Sequence, residues 1–216
     1  MATTSAPRKS TGSDGSGTKR SIPILGIIFG VIVVILIAVV LFGNSEPGSE
    51  FGDPQVEGLL PPMPGTAPAD TTATGMAVPS VVGQDFDGTE VVISDDGTAK
   101  AILFLAHWCP HCQNEVPRVQ AWLDETGGVE GVDLYSVSTS MSSARENYPA
   151  SDWLAREGWT SPVIRDDKDG TVVISFGGGG YPYWVFTNAD GTVALRTSGE
   201  LAIADLEQIL NSLEKG

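Results

Sequence analysis

Residues 22–42, IPILGIIFGVIVVILIAVVLF, run for 21 positions without a charge or a strongly polar side chain. As a helix rising about 1.5 Å per residue, such a run spans the roughly 30 Å hydrocarbon core of a bilayer. A cleaved leader has a shorter apolar region, about 7–15 residues, closed by a small-residue site that VVLFGNSEP does not supply. No cysteine directly follows the run to carry a lipid anchor. Residues 22–42 therefore read as a permanent single-pass transmembrane helix, a signal-anchor, and the rest of the chain divides around it.

Upstream, residues 1–21 are rich in Ser, Thr and Gly, without apolar periodicity, and read as a disordered tail. Arg8, Lys9, Lys19 and Arg20 against Asp14 give this tail +3, so the remainder of a chain of net charge −15 carries −18. Basic residues before the span and acids after it (Glu46, Glu50, Asp53) keep the N-terminus cytoplasmic and send the C-terminal domain outward. Residues 43–77 hold six Pro and six Gly in 35 positions and read as a tether. Residues 78–216 are long enough for one domain of ordinary size. Its strong negative charge argues against nucleic acid and anionic lipid headgroups as partners.

Within that domain, TEVVIS (89–94) reads as a short strand. AKAILFLAHW (99–108) is near-continuously apolar, as expected of a central strand covered on both faces. Cys109–Glu125 fits a helix, with Val116, Val119, Trp122 and Leu123 on one face and TGG ending it. VDLYSVS (132–138) reads as a strand, SDWLARE (151–157) as a helix with Ser151 as N-cap, and SPVIRDD as containing a further short strand. TVVISFG (171–177) is open between strand and helical turn. YPYWVFTNADGTVALRT reads as a hairpin about NADG, and AIADLEQILNSLEK as an amphipathic closing helix with Ile203, Leu206, Ile209, Leu210 and Leu213 on one stripe. The order strand–helix–strand–helix, then hairpin and helix, implies an α/β fold with helices on both faces of a mixed sheet.

The chain has only two cysteines, Cys109 and Cys112, and only two histidines, His107 and His111, all inside AHWCPHCQNEVP. A disulfide closing so short a loop removes little unfolded-state entropy. Zinc needs four ligands where the motif supplies two cysteines, so no metal and no other cofactor is expected. Thiol–disulfide exchange fits best. A helix N-terminus offers unpaired amides and about half a positive charge to a thiolate at Cys109. Cys112, one turn inward, then resolves the mixed disulfide. His111 adds to the stabilisation if it is protonated or donates a hydrogen bond, and His107 reads as an exposed neighbour without a catalytic role.

FLAHWCPHCQNEVP and GGYPYWVF resemble the thioredoxin fold and, within it, the membrane-anchored TlpA/ResA-like thiol–disulfide oxidoreductases, over about residues 78–216. The resemblance implies Cys109 and Cys112 as the redox pair and Glu115 as an acid that moves a proton to or from the inner thiol. It also implies a cis Pro182 that sets the Tyr181 backbone beside Cys109 to pair with an extended substrate segment, and Pro117 as a helix kink. Trp108 is open between packing and substrate contact. Two departures stand out: Leu103 occupies the place of a buried acid found in many thioredoxins, and bulky Tyr181 precedes the proline. Implied partners are extracytoplasmic protein thiols or disulfides and a membrane redox partner that recycles the pair. Pro110-His111 looks like strong oxidants of the DsbA type, whereas Glu115-x-Pro117 looks like reductases; the TlpA-like reductase is favoured, a DsbA-like oxidase is its rival, and a non-catalytic binding domain is a third reading.

Overall fold

A computed structural model describes residues 1–2, 49–64 and 69–216. The apolar run 22–42 and most of the tail lie outside the described residues. No described helix is long and apolar enough to cross a membrane.

The strands are β1 (Gln55–Glu57), β2 (Ala69–Asp70), β3 (Ser80–Gln84), β4 (Glu90–Ile93), β5 (Ala99–Leu105), β6 (Val132–Ser138), β7 (Val163–Arg165), β8 (Tyr183–Thr187) and β9 (Val193–Ser198). The helices are α1 (Pro110–Thr126), α2 (Ala150–Arg156), α3 (Thr171–Ser175) and α4 (Ile203–Ser212). Six strands form one mixed sheet in the order β2-β9-β8-β5-β6-β7. Within it β5 runs parallel to β6 and antiparallel to β8. Every residue of β5 is buried, as its apolar run requires.

Side chains alternate across that strand. Ala101, Leu103 and Leu105 join a core built with Val116, Val119 and Trp122 of α1, Trp153 and Leu154 of α2, and Leu206 and Leu210 of α4. Ile102 and Phe104 join the opposite core, with Val172 and Val173 of α3 and Val81, Val91 and Ile93 of β3 and β4. Helices thus cover one face. The other is covered by α3 and by a second, three-stranded antiparallel sheet, β1-β3-β4, rather than by helices alone.

The stretch expected to be a tether is partly folded. β1 pairs with β3 and β2 with β9, while Leu60, Met63 and Ala73 are buried in the second core. Polar anchors fix this segment where apolar residues are few. Arg196, buried in β9, donates to Pro61 O at 2.7 Å, to Thr72 Oγ1 at 3.2 Å and to the Asp70 carboxylate. Burial pushes the Asp70 carboxyl up, but Thr72 and Arg196 together hold it below the ordinary value.

One open local reading is resolved and another changes. TVVISFG is helical in α3, because the Asp166 carboxylate accepts the amides of Val172 (2.9 Å) and Val173 (3.2 Å), satisfying donors that a short helix leaves open. The N-cap of α2 is Pro149, not Ser151. Ser151 lies inside the first turn, its hydroxyl 2.6 Å and its amide 3.2 Å from the Glu50 carboxylate.

Candidate active site

The chain leaves the end of β5 through Ala106, His107 and Trp108 and enters α1 at Cys109, the N-cap, in extended conformation. Pro110 occupies the first helical turn, where a missing N–H costs nothing and a fixed φ favours the helix. No acid stands in that turn, so no carboxylate of the helix's own first turn offsets the positive end that faces Cys109. α1 closes at Gly127, whose left-handed conformation lets its amide reach Leu123 O at 2.8 Å.

Both cysteines are free thiols. Cys109 keeps 7% of its surface exposed and Cys112 none. The Tyr181–Pro182 peptide is cis, and the Cys109 Sγ–H donates to Tyr181 O at 3.4 Å. Burial, reinforced by the Cys109 sulfur and the Glu115 carboxylate, pushes the Cys112 thiol far above its ordinary range, against a hydrogen bond with the Ala106 backbone. At neutral pH the inner sulfur stays protonated until a base takes its proton.

Glu115 is fully buried rather than solvated. Its Oε1 accepts the Trp184 indole N–H at 3.0 Å and the Leu201 amide at 3.1 Å, and its Oε2 accepts from Arg118 at 2.5 Å. Burial still dominates and raises its carboxyl above the ordinary value. It is an acid near the inner thiol, on the helix after β5, while Leu103 packs in the core.

The histidines differ from expectation. His107 is buried, not exposed. Its Nε2 accepts the Ser142 amide at 3.1 Å, which leaves Nδ1 to donate to Glu146 O at 2.7 Å. The ring thereby fastens the loop after β6 and has no direct part in the redox pair. His111 is mostly exposed, and its Nδ1 pairs with Glu200 Oε1 at 2.7 Å rather than with the Cys109 sulfur. Trp108 donates to Ser140 O at 2.8 Å, stacks under Arg145 and meets Tyr181 edge-on. Tyr181 in turn shares a 2.8 Å hydrogen bond with Ser140.

Sequence reasoning passed over Glu200. It lies in the turn after β9, and only tertiary structure brings it to α1, where it also accepts from Asn114 at 3.3 Å and Arg118 at 2.9 Å. The hydrogen bond from His111, with those from Asn114 and the charge of Arg118, outweighs slight desolvation and holds its carboxyl low. A groove of about 460 Å³ lined by Ser140, Ile174, Gly178–Gly180 and Tyr181 opens beside the proline loop. Among the described residues no group of three or more His, Cys, Asp or Glu side chains is placed to hold a metal ion.

Residues 74–196 match the model of the AhpC/TSA family. The chain belongs to that family. It is 28% identical over 112 residues to sporulation thiol-disulfide oxidoreductase A of Bacillus subtilis; the match covers 51% of this chain and 66% of that protein. Among solved structures, a DsbF homologue from Corynebacterium diphtheriae superposes with a TM-score of 0.57 at 19% identity, over 72% of this chain and all of that one. StoA from Bacillus subtilis superposes with a TM-score of 0.51 at 20% identity, over 60% of this chain and 94% of that one. The fold is thioredoxin-like, and the Bacillus subtilis relative is by its name a thiol–disulfide oxidoreductase.

Proposed function

We propose that this chain is a membrane-tethered, extracytoplasmic thiol–disulfide oxidoreductase working through Cys109 and Cys112, with a TlpA-like protein disulfide reductase as the favoured direction. One observation carries the reading: Cys109, buried but for 7% of its surface, sets its thiol against the Tyr181 carbonyl at a helix N-terminus, while Cys112 is sealed completely one turn inward. An outer nucleophile and an inner resolving thiol are what two-step exchange requires.

In the reductive direction the Cys109 thiolate attacks one sulfur of a substrate disulfide. A Cys109–substrate bond forms, the substrate S–S bond breaks, and one substrate thiolate leaves. Cys112 then gives its proton to the Glu115 carboxylate and attacks the Cys109 sulfur, expelling the second substrate thiolate. The substrate has gained two electrons and the chain holds a disulfide, which a dithiol partner in the membrane reduces. Tyr181 and Pro182 offer backbone to an extended substrate segment, with Trp108 flanking the pocket, and Pro110 and His111 complete the redox motif. The 22–42 anchor, with its cytoplasmic N-terminus, holds the domain outside the cell.

The DsbA-like oxidase is the same chemistry in reverse, and Pro110-His111 favours it. Equilibration of the pair against glutathione separates the two. A potential near about −120 mV makes the chain an oxidant, and one below about −250 mV makes it a reductase. We expect the lower value. A non-catalytic binding role predicts that Cys109→Ser leaves partner capture and activity unchanged.

A further inference from the structure

Three consecutive residues after β9 touch three parts of the site. The Gly199 amide donates to Pro182 O at 2.8 Å. The Leu201 amide donates to buried Glu115 at 3.1 Å. Between them Glu200 divides its carboxylate: Oε1 takes His111 Nδ1 and Asn114 Nδ2, and Oε2 takes Arg118. Gly199 has φ +96, a conformation that favours glycine and turns the chain sharply enough for this triple contact.

Arg118 bridges the two carboxylates, reaching Glu115 at 2.5 Å and Glu200 at 2.9 Å. These side chains therefore form one line: His111 inside the cysteine motif, Glu200, Arg118, and Glu115 beside the inner thiol. Glu200 retains a quarter of its side-chain exposure, so its field is weakened by water but not erased.

We infer that Glu200 is a positioning residue that biases the Cys109–Cys112 pair toward its disulfide form, by fixing an anionic carboxylate against His111 and sharing Arg118 with Glu115. That carboxylate takes the His111 Nδ1, so this nitrogen gives nothing to a negative charge on the Cys109 sulfur, and the Arg118 cation is divided rather than spent wholly on Glu115. The inference rests on the proposed function, and it supplies a reason why a Pro-His dipeptide in this chain belongs with a reductase: the imidazole is engaged by a carboxylate, not by the nucleophile.

The test is the equilibrium of the full chain, in detergent, with glutathione. Two glutathione thiols open the Cys109–Cys112 bond, leaving two thiols in the chain and one glutathione disulfide. Glu200→Gln, which keeps the shape and removes the charge, should shift that equilibrium about three- to tenfold toward the dithiol, tenfold being about 30 mV for two electrons. Glu200→Ala should move it in the same direction, and Glu200→Asp should restore it to within twofold of wild type. A shift below twofold in both neutral variants, or one toward the disulfide, overturns the inference while leaving the oxidoreductase reading intact. A wild-type pair that does not equilibrate with glutathione at all overturns both.

Discussion

At the residue scale, Glu115 couples stability to the chemistry proposed for the inner thiol. Burial raises its carboxyl above the ordinary 4.5, so the folded chain holds that proton to higher pH than the unfolded one. The stability this contributes is full below about pH 4.5 and is lost as pH rises through the folded value. Glu115→Gln has no proton to lose there. Wild-type stability minus that of Glu115→Gln, from urea unfolding, should therefore fall from about pH 4.5 upward; a flat difference contradicts it. The buried Asp166, raised for the same reason, is common to both chains and cancels. On the proposed mechanism the same substitution removes the acceptor of the Cys112 proton, so rapid-mixing measurement should find attack by Cys112 on a mixed disulfide slowed on the order of a hundredfold, with the first attack by Cys109 changed far less.

At the scale of elements, sequence and structure agree where periodicity is strong and part where distant polar contacts decide. The strand expected over 99–108 and found at Ala99–Leu105, and the helix expected over Cys109–Glu125 and found at Pro110–Thr126, were legible because an unbroken apolar run, an apolar stripe and a terminal Gly-Gly each have one good local solution. β1 and β2 were not, since a stretch dense in Pro and Gly carries almost no period. It folds because Arg196, more than 120 residues away in sequence, reaches Asp70, Thr72 and Pro61. The exposed reading of His107 failed similarly: its burial comes from the loop at Ser142–Glu146, which nothing local announces. Breaking a buried ion pair by removing one partner costs about 3–5 kcal/mol. Asp70→Ala should therefore lower the midpoint of thermal unfolding by on the order of 10 °C, and proteolysis near residues 60–64 should accelerate. An unchanged midpoint would mean that the segment is not anchored as described.

At the scale of the whole molecule, the folded unit begins well before residue 78, since residues from 49 onward make contacts within it: Gly52 N donates to Asp166 O at 3.0 Å, and Arg165 to Ser49 O at 2.5 Å. Cell fractionation should recover the full chain with membranes after an alkaline carbonate wash, and a chain lacking residues 1–44 in the soluble fraction. Recovery of both in the soluble fraction would remove the anchor from the proposal. The most direct measurement concerns the two sulfurs themselves. With a disulfide-bonded test protein, Cys112→Ser should accumulate a covalent adduct at Cys109, cleavable by reductant and mapped by mass spectrometry, while Cys109→Ser should form none. Equal trapping by both variants, or by neither, contradicts an outer nucleophile backed by a sealed resolving thiol.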